Sequence, residues 1–395
     1  MKKLRKIILV ILSIIVGSVL LSFVILFIAS GLFTTPKYLQ PWEKTYYSTH
    51  DDPRIQLASH GLLAANSHNI QPWKIKLDAE NNMVFYLYTD SDRLTLEVDP
   101  LARQILISQG TFLEYVKVAG EQLGYDAEIA LFPDGIYDES NLKISMDTKP
   151  VAKITLTKVA PTASALYNYL FLPDTNRAAY QTTQLTSEQI TQLQNINSDA
   201  DLTVEIFQDE NNLLKLGKFA MAGAQIESGV HRINMESADI FRSNEYQKNE
   251  FRYGFSVEGQ GTTGMTKHIL QGMLTLVPFI NDEQASAQLY VNSTQVAVNN
   301  TPAYAMITTK DNSRINQVKA GMLYSKLILT AHSLGFVMQP PSQVLEEYPE
   351  MSQQYADIHK EYALSGGTIQ MFFRMGKPTV EFPQSMRRDV MDLIK

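Results

Sequence analysis

Hydrophobic positions along the chain fall into three patterns. The first is an unbroken run: Ile7 to Phe33 carries no charge over 27 residues. At about 1.5 Å rise per residue it covers roughly 40 Å, more than the ~30 Å hydrocarbon core of a bilayer. A cleavable signal has an apolar region of only about 7–15 residues, so the run predicts an uncleaved transmembrane helix, with cleavage after Ala29 or Ser30 as the alternative. The second pattern is helical. Leu57, Gly61, Ala64 and Ala65 recur at helix spacing, until Asn66, Ser67, His68 and Asn69 break it with side chains that compete for backbone hydrogen bonds. The third is alternation. Pro72 predicts an extended Gln71, and beyond it Trp73, Ile75 and Leu77 alternate with Lys74, Lys76 and Asp78, as in a half-buried strand. Four polar side chains are thereby placed between a helix end and a strand start.

Two longer helical stretches look like copies of each other. Asp99 to Tyr125 and Asp311 to Phe336 align on Gly110 and Gly321, and both end in Leu-Gly, at Leu123-Gly124 and Leu334-Gly335. Phe112, Val116 and Val118 then match Leu323, Leu327 and Leu329. A Gly inside a central helix predicts a close helix crossing, and the final Gly a left-handed cap. Each stretch follows a strand-like run, Met83–Tyr88 or Ala303–Thr308. Two homologous halves about a pseudo-twofold axis are expected, with the seam near residue 160. Val151–Val159 reads as the strand closing the first half. In the second, Ala165–Leu172 begins a helix, and Thr186 with Gln189 forms a capping pattern ahead of Leu193. Phe219–Met235 reads as helix, Asn244–Asn249 as a polar loop, and Met265–Leu276 as a short apolar helix ended by Pro278. The division expected is an anchor over 1–35, a juxtamembrane arm over 36–53, and halves over 54–160 and 161–395.

Charge and composition narrow the function. Lys2, Lys3, Arg5 and Lys6 precede the apolar run and predict a cytoplasmic N-terminus with the body outside the cell membrane. Subtracting these four positive charges from the overall −7 leaves −11 for the rest, which argues against nucleic acid as a partner. The chain has no cysteine, so disulfides, thiolate catalysis and cysteine-ligated metal are excluded. Its seven histidines show no H-x-x-x-H or H-x-H spacing, and no metal site is expected.

Candidate chemistry begins with a decoy. Gly259-Gln260-Gly261-Thr262-Thr263-Gly264 is a formal G-x-G-x-x-G, with Asp282 and Glu283 beyond it. The preceding run contains Arg252, Gly254 and Ser256 and no ladder of βα units follows, so a Gly-rich loop over a site or between helices is the better reading. There is no G-x-S-x-G and no P-loop. Arg177, after Asn176 at a helix start, and Arg387-Arg388 near the C-terminus suit a phosphate through bidentate hydrogen bonds.

Ala64-Ala65-Asn66-Ser67-His68-Asn69-Ile70-Gln71-Pro72-Trp73 resembles the A-P-S-x-x-N-x-Q-P-W loop of the nitroreductase superfamily, FMN-dependent oxidoreductases. The ordered set resembles its Acg-type branch, in which two nitroreductase-like halves are fused. It includes D-P-x-x-R-Q-x-x-I-S-x-G (Asp99 to Gly110), T-N-R (Thr175 to Arg177), A-x-x-L-G-x-x-x-x-P-x-S-Q (Ala331 to Gln343) and R-x-G-x-P (Arg374, Gly376, Pro378). The resemblance spans roughly residues 54–395. It implies an α+β fold with a mixed sheet flanked by helices in each half and FMN at the seam. Ser67, Asn69 and Gln71 would meet the isoalloxazine edge and ribityl chain, Arg177 with Arg387 or Arg388 the phosphate, and Gln339 and Pro340 would lie near flavin N5. Hydride would pass from NAD(P)H, or electrons from a membrane donor, to a nitro, quinone or similar small-molecule acceptor, with no side chain acting as acid or base. The Arg-x-Ser-x-Arg of single-half nitroreductases is absent, which implies rearranged phosphate binding. Fusion implies a monomer, and the lack of a second Asn-x-Gln-Pro-Trp implies one flavin per chain. The alternatives are a non-catalytic FMN-binding protein, whose Gly229–Pro278 region covers the site as a lid, and a flavin-free surface module.

Overall fold

In the computed structural model, described over residues 2–280, 282–363 and 366–395, the apolar run forms helix α1 (Lys2–Ser30). Among the described residues this one helix is long and apolar enough to cross a membrane. The arm beyond it is docked on the body. Its two 3-10 turns, Lys37–Trp42 and Tyr46–Thr49, place Trp42 in the core with its indole N–H donating to Ser385 O at 2.8 Å.

Helix α2 (Pro53–Gly61) starts where Asp52 caps the Arg54 N–H and Pro53 supplies a preset φ. It stops at Gly61, short of Ala64, where a Cβ would meet the Phe112 ring at 2.7 Å. After the polar loop come β1 (Trp73–Leu77) and β2 (Val84–Thr89), then the long helix α3 (Arg103–Leu123). Strand β3 (Tyr125–Leu131), helix α4 (Leu142–Thr148) and strand β4 (Ala152–Lys158) complete a sheet of order β1-β2-β4-β3.

The stretch expected to start a helix at Ala165 is only a 3-10 turn, Tyr167–Phe171. Helix α5 (Ser187–Asn195) follows, with the reciprocal Thr186–Gln189 capping box in place, and then β5 (Leu202–Phe207). Residues 208–302 then hold α6 (Glu210–Ser228), α7 (His231–Asp239), α8 (Glu245–Phe251), α9 (Gly264–Leu276) and α10 (Glu283–Asn299). Two expectations are corrected here. Phe219–Met235 is split at Gly229 into α6 and α7. Asn244–Asn249 is not a loop, because Asn244 accepts from the Gln247 N–H and caps α8. The second sheet then closes with β6 (Ala303–Thr309), helix α11 (Arg314–Ser333), β7 (Val337–Gln339), helix α12 (Ser352–Tyr362) and β8 (Thr368–Gly376), in the order β5-β6-β8-β7.

Both sheets are antiparallel throughout. They are therefore not the mixed sheets expected; parallel pairing is found where Ile394 bridges Ile75, with Lys395 N donating to Ile75 O at 2.7 Å, and in a separate two-stranded pair of Phe241–Arg242 with Phe255–Ser256. The tail that follows β8 therefore crosses back to extend the first sheet.

The two long helices cross at their internal glycines. A Cβ on Gly110 would lie 1.9 Å from Val318 O, and one on Gly321 would lie 1.9 Å from Ile107 O. The contact is reciprocal, each glycine against the carbonyl three residues before the other. The buried arginines at the helix starts reciprocate too. Arg103 donates to Gln370 O at 2.7 Å and Leu345 O at 2.8 Å, while Arg314 donates to Leu101 O at 2.7 Å and pairs with Glu139 at 2.6 Å.

Candidate functional site

The polar loop after α2 is strained. His68, Asn69 and Gln71 have φ of 51°, 53° and 52°, a left-handed region that costs a side-chain-bearing residue about 1–3 kcal/mol. Gln71 is therefore not in the extended conformation that Pro72 predicts. Its own hydrogen bonds override that preference: its N–H donates to Asn66 Oδ1 at 2.8 Å, and its side-chain oxygen accepts from Arg388 N at 2.8 Å.

Two distant segments hold the loop in place. From the C-terminal tail, Arg387 donates to Asn69 Oδ1 at 2.8 Å and Leu63 O at 2.6 Å, and its guanidinium lies 4.7 Å from the Trp42 ring centre. Arg388 donates to Gln71 O at 3.3 Å and to Asp392 O at 2.6 Å. From the region between α8 and α9, Gly254 N donates to Asn69 O at 2.9 Å, while Asn69 Nδ2 donates back to Gly254 O at 3.2 Å. Gln71 Nε2 donates to Arg252 O at 2.9 Å, and the Phe255 ring lies 5.6 Å from that of His68. Residues 252–255 thus lie over the loop.

Beside the loop stands Arg177, whose charge acts on His68, Tyr180, Tyr290 and Tyr324. Arg177 keeps open surface although protein surrounds it deeply, as a side chain lining a cavity does. Its guanidinium donates to Gly259 O at 3.1 Å, so the glycine-rich segment forms a rim. Arg374, buried on β8, stacks 3.8 Å from the Tyr180 ring centre and donates to Gln339 Oε1 at 2.6 Å and Ala178 O at 2.7 Å, gripping the backbone beside Arg177. One of its terminal nitrogens is buried without a partner, as is the Tyr324 hydroxyl. Among the described residues neither Arg177 nor Arg374 forms an ion pair. Burial pushes both guanidiniums below their usual range. Burial, then the Arg177 charge, takes His68 down to about 4, so its ring is neutral at pH 7.

The far wall is acidic. Ser67 Oγ donates to Gln104 Oε1 at 3.1 Å, and Gln104 Nε2 donates onward to Glu346 Oε1 at 3.4 Å. Burial pushes the Glu346 carboxyl well above its usual range, with the charge of Glu227 adding to the shift. Glu227 is itself pushed up to about 7 by burial, against a hydrogen bond from Tyr290 that pulls it down. Each of the two carboxyls has one buried oxygen without a partner. Tyr290 feels both carboxylates and Arg177, which places it between the cationic and the acidic walls.

Of the residues predicted from sequence, Ser67 and Arg177 line the cleft and Gln339 touches it through Arg374, with half-buried Pro340 next in the chain. Asn69, Gln71, Arg387 and Arg388 come together, but their polar groups are spent on one another, on the tail and on residues 252–254. Arg374, Glu227, Glu346, Gln104 and Tyr290 were not singled out. Arg374 left a signal in the R-x-G-x-P motif, and Gln104 one in D-P-x-x-R-Q-x-x-I-S-x-G. The G-x-G-x-x-G follows a strand of only two residues, Phe255–Ser256; Glu258–Gln260 is one 3-10 turn and α9 begins at Gly264.

No family model and no curated protein matches the chain. Among solved structures it is similar to an FMN-dependent nitroreductase from Mycobacterium smegmatis solved with NADPH. There the identity is 13% and the TM-score 0.31, over 54% of this chain and 90% of that one. A nitroreductase-like family protein from Bacillus cereus is 10% identical with a TM-score of 0.31, over 60% of this chain and 98% of that one. A candidate nitroreductase from Anabaena variabilis is 10% identical with a TM-score of 0.32, over 80% of this chain and 82% of that one. TM-scores this low leave the reading of the site to the chain's own residues.

Proposed function

We propose that the chain is a membrane-anchored FMN-dependent oxidoreductase of nitroreductase type, built from two homologous halves over 54–160 and 161–395 and holding one flavin at their seam. The observation that carries the reading is the pair Arg177 and Arg374, two guanidiniums without a carboxylate partner in a deep cleft beside the Asn-x-Gln-Pro-Trp loop. Buried cations call for an anion, and a phosphate accepts several charge-assisted hydrogen bonds at once. The orphaned nitrogen of Arg374 and the open surface of Arg177 fit the flavin phosphate. The shared strand order and the reciprocal glycine crossing support the two halves.

In this reading Arg177 and Arg374 hold the phosphate, while Arg387 and Arg388 strap the tail to the loop and fix its left-handed backbone. Ser67 offers a hydrogen bond to the flavin edge, while Asn69 and Gln71, whose polar groups are spent on the tail and on residues 252–254, fix the shape of the loop beneath it. Gln339 and Pro340 stand on the opposite side. When bound, FMN supplies hydride transfer from a nicotinamide or another donor to an acceptor. Neutral His68 adds no charge to the cleft, and the Glu227–Glu346 wall can hold a proton near neutral pH. The N-terminal positive cluster supports a body outside the cell membrane.

One observation favours a second reading, an FMN-binding protein that does not turn over: residues 252–255 already cover His68, Asn69 and Gln71. Oxidation of NAD(P)H by the FMN-loaded full chain, with nitro and quinone acceptors, separates the two. Sustained turnover supports the enzyme, and bound flavin without turnover supports the covered site. A chain that takes up no FMN refutes both.

A further inference from the structure

Helix α9 lies against the outer end of α1 and runs antiparallel to it. Ser30 Oγ is 3.3 Å from His268 Nδ1, and four residues earlier on α1, Leu26 O would lie 2.4 Å from a Cβ on Gly272. Small residues at a crossing let two backbones approach this closely, as between helices in a bilayer. As α1 is followed outward α9 is followed inward, so the end of α9 points back along the apolar run. The body leaves that end of α9 uncovered, as it does the first turn at Met265. Met273, Leu276 and Ile280 are exposed, and Phe279 is 81% exposed.

The depth follows from helix rise. Counted from the last basic residue, Lys6, about 30 Å of hydrocarbon reaches to the neighbourhood of Leu26. Phe279 lies beyond Gly272 in the inward direction, which puts it up to roughly 10 Å below that level. A soluble face would expose such a cluster to water at a cost of about 25 cal/mol per Å². Next along the chain, Asp282 caps α10 through Ala285 N at 2.8 Å, and Glu283 meets His231 at 2.7 Å. These acids limit the insertion to the turn itself.

The wedge is held rigidly to both arm and body. Lys267 and Gln271 of α9 reach Glu245 of α8 at 3.1 Å and 3.0 Å, and Tyr38 of the arm donates to the same carboxylate at 2.7 Å. Tyr246 donates to Ile28 O at 3.2 Å. The apolar cluster is therefore fixed beside α1.

We infer that the end of α9 and the turn Pro278–Ile280 are embedded in the outer leaflet beside α1, so that the lipid bilayer covers this face and the body is seated on the membrane surface. The inference rests on α1 spanning the bilayer. One consequence concerns the cleft: its rim at Gly259 leads directly into α9, and its Tyr290 stands on α10, just past the turn. A seated body holds that rim close to the lipid surface.

The chain's lack of cysteine makes the test direct. Single variants Phe279→Cys, Leu20→Cys and Lys360→Cys of the full chain are labelled with an environment-sensitive fluorophore. Each is reconstituted into phosphatidylcholine–phosphatidylglycerol vesicles. Aqueous iodide and a lipid carrying a nitroxide high on its acyl chain serve as quenchers. The expected result is that the label at 279 is shielded from iodide and quenched by the nitroxide lipid, as at 20, while the label at 360 responds to iodide alone. A label at 279 that behaves like 360, with 20 still quenched by lipid, overturns the wedge and leaves the span intact. Shielding from both quenchers at 279 means that protein covers the face, and also overturns it. Iodide access at 20 removes the span and the wedge together.

Discussion

The two sheets share an order and a direction, but the connections between their first two strands differ greatly. In the first half a short turn joins β1 to β2, and Asp78 accepts from the backbone N–H groups of Glu80 and Asn81 at 3.0 Å. In the second half the same step takes residues 208–302, which carry the rim of the cleft, the segment covering the loop and the helix that leans on α1. The short turn is itself exposed over Ala79–Asn82, and a turn at the surface can take an insertion at modest entropic cost. The first half keeps the strained loop, and the second supplies the cations. The shared frame places both at one seam, and the insertion determines what reaches them.

The largest effect is expected where the two halves are most alike. Gly110→Ala and Gly321→Ala each drive a methyl group to 1.9 Å from a backbone oxygen of the other helix. Each should cost about 3 kcal/mol in urea unfolding of the solubilised chain. The double variant should cost less than the sum, because the first substitution already parts the helices. Independent, additive losses would break the view of a single reciprocal crossing.

Next comes the cationic wall, where the halves differ. Arg177→Ala should weaken FMN binding about 10- to 100-fold in fluorescence titration. Its effect on unfolding should stay within ~0.5 kcal/mol, because the side chain makes one hydrogen bond to Gly259 O. Loss of stability without loss of affinity would make Arg177 a structural residue.

A smaller effect is expected in the insertion. Gly254 has φ of 89°, and a Cβ there would lie 2.0 Å from Ile240 O. Gly254→Ala should undock the covering segment at about 1–2 kcal/mol, read as faster amide exchange over residues 241–261. Under the enzyme reading FMN should also associate faster; unchanged exchange would show that the cover does not depend on this contact.

The smallest is a pH effect. With its carboxyl pushed up to about 7, Glu227 becomes charged as pH rises through neutrality, across Tyr290 from Arg177. FMN affinity should fall roughly two- to threefold between pH 7 and 8.5, and Glu227→Gln should flatten the profile. The linked stability has a definite sign. Between its usual value of 4.5 and about 7 the folded chain keeps a proton that the unfolded chain releases, so this group costs stability as pH rises through that window.

Much of the frame was legible because it is written in local patterns. The alternation at Trp73–Leu77, the capping box at Thr186 and the glycines at 110 and 321 each answer to a rule that acts within a few residues. Asn244 was misread because a polar run without hydrophobic period looks like a loop, although its first residue is a helix cap. Gln71 was misread because the preference set by Pro72 is weaker than bonds from residues over 300 positions away, at Arg388. The pairing of Arg177 with Arg374, and of Glu227 with Glu346, depends on folding that brings the insertion over the seam. Neither leaves a local trace.

The central claim is that the cleft beside the strained loop holds FMN through Arg177. The most direct test is the visible spectrum of the full chain, incubated with FMN and passed through gel filtration, beside that of Arg177→Ala. The account predicts a flavin band that co-elutes with the protein and is strongly reduced in the variant. A band of equal strength in both, or none in either, would contradict it.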